Sequence, residues 1–236
     1  MMRMLKMELT VFGQYLRQLA LTTVIMAVCL TIGMGSTASL PGIIFMMEMF
    51  SLTTSASHYD EQNDWAAFRL TMPVSRRDIV TGRYLFVFLG SLVCAALTVF
   101  GALVFAGLAS VDMLPAGVAD VVRLDADAIR VGGFTLAVCG AMGMLTASVS
   151  MPMLFKFGQT KATQWLPFIM VLLGMAPFMV VGFMGEEALV AAQQALSFAE
   201  TPEGLMSFAV GAVVFGVVCY IVSALVSLRV YKARDL

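Results

Sequence analysis

Apolar residues run along this chain in stretches of about twenty, near 19–36, 39–58, 84–110, 131–155, 165–185 and 207–228, and most of the charge lies between them. A helix needs roughly 20 apolar residues to cross a hydrocarbon core of about 30 Å, and in lipid every backbone polar group must be satisfied within the helix itself. The pattern therefore predicts an all-α integral membrane protein of six transmembrane helices, forming a single transmembrane domain over residues 1–236. Only Ser36-Thr37-Ala38-Ser39 separates the first two runs before Pro41, which predicts a tight hairpin.

Ahead of the first run, Leu5, Leu9, Phe12, Leu16 and Leu19 recur at helical spacing while Arg3, Lys6, Gln14 and Arg17 take other faces. This predicts an interfacial N-terminal helix over residues 2–17, lying along the inner surface, or else an extension of the first span into the cytosol. Basic residues before an apolar run resemble a signal peptide, but Leu19–Gly35 is too long for an h-region and reads as a retained span.

Composition agrees with the pattern. The chain has 236 residues, of which 60% are hydrophobic and 12% charged, and lipid must cover what a soluble core of this length could not hide. Its mean hydropathy is +0.92. With six spans both termini share one side, and Arg3, Lys6, Arg17, Arg69, Arg76, Arg77, Arg83, Lys156, Lys161, Arg229, Lys232 and Arg234 fall on it, against Arg123 and Arg130 on the other. The positive-inside rule makes that side cytoplasmic and the protein a multi-pass resident of the cytoplasmic membrane. The opposite segments carry Asp112, Asp120, Asp125 and Asp127, then Glu186, Glu187, Glu200 and Glu203. Thr201-Pro202-Glu203 has the order of an N-cap, a first-turn proline and a first-turn acid, marking the start of the last span. Tyr15, Tyr59, Tyr84, Trp165 and Tyr231 sit near inner boundaries, where amphipathic rings favour the headgroup layer.

The connection over 57–83 is the longest on the cytoplasmic side and is patterned as structure. Asp60, Glu61 and Asp64 suit a helix N-terminus, Trp65, Phe68 and Met72 share a face, and Pro73 ends the helix. Ser75-x-x-Asp78 then resembles a capping box that opens a second helix before the third span. Exposed Trp and Phe flanked by charge suit a docking surface; a helix resting on the inner leaflet is the other reading.

Chemistry inside the membrane is sparse. Cys29, Cys94, Cys139 and Cys219 each lie inside an apolar run, without CxxC spacing, and read as reduced small hydrophobes. His58 is the only histidine, no G-x-x-x-x-G-K-[ST] occurs, and Glu186-Glu187 lacks the downstream residues of an intramembrane glutamate protease, so neither an enzyme nor a direct ATP binder is indicated. Glu48 is the one acid in the middle of an apolar run, at an insertion cost of about 2.5–3.5 kcal/mol, and is predicted to face protein or a water-filled path. Ser51, Thr53 and Thr54 are its nearby hydroxyls. A substrate-path or proton-linked role and a protonated structural carboxyl both fit. The twenty methionines read as lipid-facing filler or as an adaptable cavity lining, and Pro167, Gly174 and Pro177 as close packing or a kink in the fifth span.

Asp60-Glu61, then Leu70-Thr71-Met72-Pro73-Val74-Ser75-Arg76 and Ile79-Val80-Thr81-Gly82-Arg83-Tyr84, resemble the "DE, short helix, LPVSR, IV-x-GRY" signature of ABC-2 type transporter permeases, with Thr71-Met72 departing from the usual residues before the proline. The nearest subgroup is that of the phenol-soluble-modulin exporter permeases, whose "P-x-x-x-K-x-G-x-x-K-A" is similar to the stretch from Pro152 to Ala162. The resemblance implies a permease subunit of an ATP-driven exporter, dimeric with a second copy or a paralogue. It implies a coupling helix over 59–73 seated on a separate ABC ATPase subunit that holds ATP and Mg, with no cofactor on this chain and no nucleic-acid partner. Asp64, Trp65, Phe68, Arg69, Met72 and Pro73 are then the docking residues, and Arg76, Arg77 and Arg83 support docking or hold anionic headgroups, each charge worth about 1 kcal/mol at the surface. The rival readings are an ion-coupled secondary transporter using Glu48 and a membrane sensor or assembly subunit without transport.

Overall fold

A computed structural model describes residues 13–34, 37–62, 75–111, 122, 125–157 and 202–232. Its helices are α1 (Gly13–Met34), α2 (Leu40–Gln62), α3 (Arg76–Ser110), α4 (Ala126–Phe157) and α5 (Pro202–Lys232), and no strand occurs among the described residues. Three of them, α3, α4 and the Glu203–Tyr231 part of α5, are long and apolar enough to cross a membrane, while Ala20–Thr31 and Leu40–Ala56 are shorter apolar segments within α1 and α2. Most of the predicted 2–17 helix, the centre of the 57–83 connection and the fifth predicted span at 165–185 lie outside the described residues.

Local chemistry sets the helix starts. Ser75 is extended at φ −77° and ψ 150°, and its hydroxyl oxygen accepts from the Asp78 N–H at 3.1 Å, satisfying one of the first-turn donors. The same hydroxyl donates to the Asp78 carboxylate at 2.8 Å, so the short acid bonds the cap's side chain. Ser75→Ala should cost about 1 kcal/mol at this end, read as amide exchange at residues 76–79 speeded about fivefold. Unchanged exchange would contradict the cap. Asp125 caps α4 in the same way, accepting from the Ala128 N–H at 2.8 Å, and α5 opens on Pro202 and Glu203 as its sequence predicts.

The capped start changes the length of the third span. It is one continuous helix of 35 residues, beginning at Arg76 and not near 84, and at 1.5 Å per residue it is about 52 Å long.

Small residues decide how the helices meet. On α2, a Cβ at Gly42 would lie 2.5 Å from the Thr135 carbonyl oxygen of α4, and one at Gly143 would lie 3.0 Å from the Met46 Cα. At Gly132 a Cβ would come within 2.6 Å of the Ala38 oxygen, and on α5 one at Gly216 would sit 3.0 Å from the Ala141 Cα. Glycine at these points lets backbones touch, which is how helices gain packing energy in lipid, where apolar burial alone drives little association. These pairings rise together in residue number, so α2, α4 and α5 run in one direction. Arg76 meets Tyr231 and Tyr84 meets Ser223, so α3 runs against α5. The centre is filled by Ile44, Met49, Leu52, Val80, Phe86, Val87, Ala147 and Met151, while Val24, Phe100, Phe105, Val210, Phe215 and Leu225 point outward. An apolar exterior of this extent suits lipid and not water.

Candidate functional site

Helix direction sorts the charges. One end of the bundle carries Arg76, Arg77 and Arg83 at the start of α3, Lys156 at the end of α4 and Arg229 near the end of α5. The opposite end carries Asp125, Asp127 and Glu203, with Arg130 held 3.5 Å from Asp127. The basic end is also where the chain emerges from the 63–74 segment. Asp64, Trp65, Phe68, Arg69, Met72 and Pro73 themselves lie outside the described residues.

The three arginines occupy different environments. Arg77 is exposed. Arg76 is half-buried and donates from Nη1 to the Tyr231 carbonyl at 3.2 Å, tying α3 to the last turn of α5. Arg83 is only 4% exposed, its position on α3 turning the side chain into the bundle. Tyr84 and Tyr231 likewise sit at the predicted boundary but face inward, at 4% and 5% exposure.

Around Tyr84 the basic end is built as a hydroxyl cluster. Its OH lies 2.7 Å from Ser223 Oγ and 2.8 Å from Ser227 Oγ, two residues one helical turn apart on α5. Ser223 donates in turn to the Ser148 carbonyl of α4 at 2.6 Å. That carbonyl is available because Pro152, four residues on within α4, has no N–H to give it. A neighbouring serine re-satisfies the freed group, as membrane helices require. Tyr220 closes the cluster: its OH donates to the Tyr84 carbonyl at 2.9 Å, its ring packs edge-on to Tyr84 at 5.0 Å and lies 6.2 Å from Phe88. The start of α3 is thus fixed to α4 and α5 by directional bonds as well as packing. Reading the chain as spans missed this cluster; the signal for it was the Ser223–Ser227 spacing in an otherwise apolar run.

A second polar site lies midway along the apolar stretch Leu40–Ala56. Glu48 is 7% exposed, and its Oε1 accepts from the Thr23 hydroxyl of α1 at 2.7 Å. The hydroxyls of Thr53 and Thr54 make backbone bonds within α2, to Met49 at 2.6 Å and Phe50 at 3.0 Å. Cys94 of α3 lies beside Thr23, so three helices come together near the carboxyl. Its partner across 25 residues of chain could be suspected only from Thr22-Thr23 as hydroxyls in the first apolar run.

Among the described residues no group of His, Cys, Asp and Glu could hold a metal ion. What the geometry offers is a bundle with an apolar exterior, charged oppositely at its two ends, with one clamped end and one buried carboxyl. These are the marks of a multi-pass membrane protein. Residues 4–232 match the family model described as ABC-2 family transporter protein, and the chain belongs to that family of membrane permeases. Searches of curated proteins and of solved structures found no match.

Proposed function

We propose that this chain is the permease subunit of an ATP-driven exporter of peptide, lipid-like or drug-like cargo, close to the phenol-soluble-modulin exporter permeases and powered by a separate ABC ATPase. Family membership across residues 4–232 carries this reading. In it, six spans cross the cytoplasmic membrane as one domain with both termini inside, and two permeases, identical or paralogous, form the pathway. The common direction of α2, α4 and α5, opposed by α3, supports the plan, since the second, fourth and sixth spans of a serial bundle must run the same way. The basic end, facing the cytoplasm, supports the orientation.

The ATPase, with its ATP and Mg, docks on the 59–73 coupling helix through Asp64, Trp65, Phe68, Arg69, Met72 and Pro73. Arg76, Arg77 and Arg83 flank that seat. Closure of the ATPases pushes the seat, and the push enters the bundle at the Tyr84 cluster as a rigid-body motion. This chain performs no catalysis in the scheme; the bond broken is in ATP, on the partner.

Replacing Trp65 and Phe68 together with alanine should abolish co-purification with the ATPase while the permease still reaches the membrane, because buried aromatic anchors dominate such interfaces. Undiminished recovery of the ATPase with the double variant would overturn the docking assignment. Glu48 favours a second reading, an ion-coupled transporter. Transport that survives ATP depletion and collapses with the proton gradient would select it.

A further inference from the structure

Glu48 is a carboxyl whose surroundings do not complete it. Oε1 has the Thr23 hydroxyl, but Oε2 is buried and meets no hydrogen-bond donor among the described residues. A buried carboxylate ordinarily has a cation or further donors around it. The described basic side chains cannot serve, because they lie at helix ends. Arg83 is the nearest along α3, and the eleven residue steps from it to Cys94 span about 16 Å of helix. Ionised, the carboxyl would be matched by nothing on the described protein.

The wall on one side of this carboxyl is lightly held. Thr23 is the only buried residue among the described side chains of α1, and the rest of that helix is half-buried or exposed. At this level the Thr23 hydroxyl joins α1 to the carboxyl, and Ala27, one turn on, packs against the core. The buried faces beside it on α2, Phe45, Met49 and Leu52, are apolar or aromatic. A ligand at this position would need one positive charge for Oε2 and an apolar body for the walls. A hard divalent ion would need six or more oxygen ligands, which a single carboxyl and a hydroxyl do not supply.

We propose that Glu48, with Thr23 and Cys94, forms a binding site for the charged head of a lipophilic organic cation, and that the exported cargo includes this class. The second half rests on the exporter reading; the binding site does not.

The test uses the full-length chain in nanodiscs of zwitterionic lipid, with tetraphenylphosphonium as probe and tetraphenylborate as its anionic counterpart of like size. Expected is saturable binding of the cation, weakened at least tenfold in Glu48→Gln and less in Glu48→Asp, with no Glu48-dependent binding of the anion. Glutamine keeps an acceptor for Thr23, so the variant should fold. In case it does not, a wild-type background with Cys94 as the sole cysteine gives a second measurement: the cation should slow alkylation of Cys94 by a membrane-permeant maleimide several-fold. Equal cation binding by wild type and Glu48→Gln would overturn the site. So would no protection of Cys94, or Glu48-dependent proton uptake without cation binding. None of these results bears on whether an ATPase co-purifies, so the site and the exporter reading fail separately.

Discussion

Gly42→Val should lower the melting temperature of the purified protein by roughly 6–12 °C, as expected for a loss of about 3 kcal/mol or more. Even a single Cβ at this position would stand 2.5 Å from the Thr135 carbonyl oxygen, 2.7 Å from its carbon and 2.8 Å from the Leu136 Cα. All three are backbone atoms, so no side chain can turn aside, and α2 and α4 would have to separate along their contact. The comparison variants are Gly107→Val and Gly211→Val, where an added Cβ has nothing within 4 Å among the described residues. Those two should melt within a degree or two of the parent. If Gly42→Val melted with them, the close approach of α2 and α4 would be refuted.

At Tyr84 two substitutions should separate ring from hydroxyl. Tyr84→Ala removes a side chain that packs on Tyr220 and fills the junction of α3 with α5, and should cost about 3–5 kcal/mol. Tyr84→Phe removes only the hydroxyl shared by Ser223 and Ser227, and hydrogen bonds between membrane helices average about 0.6 kcal/mol, with about 1.7 at most. The phenylalanine variant should therefore fold and reach the membrane while its α3–α5 joint is loosened. Thermal melting in detergent checks both values. A phenylalanine variant as unstable as the alanine one would mean that the hydroxyl cluster, not the packing, holds this end together.

Much of the outline was legible because lipid imposes a coarse rule on sequence. Runs of apolar residues near 39–58, 131–155 and 207–228 became α2, α4 and α5 with ends moved by a few residues, since an uninterrupted apolar run in lipid has no alternative to a helix. The Ser75 cap and the α5 start at Pro202 and Glu203 were legible for a different reason: helix-start signals are local and need only three or four residues. What stayed hidden depends on contacts between distant residues. Nothing near Tyr84 in sequence announces Ser223 or the carbonyl released by Pro152, and hydropathy treats a tyrosine at a span boundary as a headgroup anchor whichever way it faces. Glu48 stood out by its cost, but cost identifies a buried acid and not the helix that supplies its donor.

The length of α3 has a mechanical consequence. It runs from Arg76 to Ser110 without a proline, so its hydrogen-bond ladder offers no weak point, whereas α4 has Pro152 near its basic end. Pivoted at one end, a rod of about 52 Å that rocks by about 5° carries its far end some 4–5 Å. Cys94, near its midpoint, would shift by about half as much. In the exporter reading, a force applied beside Ser75 would reach the level of Glu48 through an unbroken helix, while α4 carries the proline.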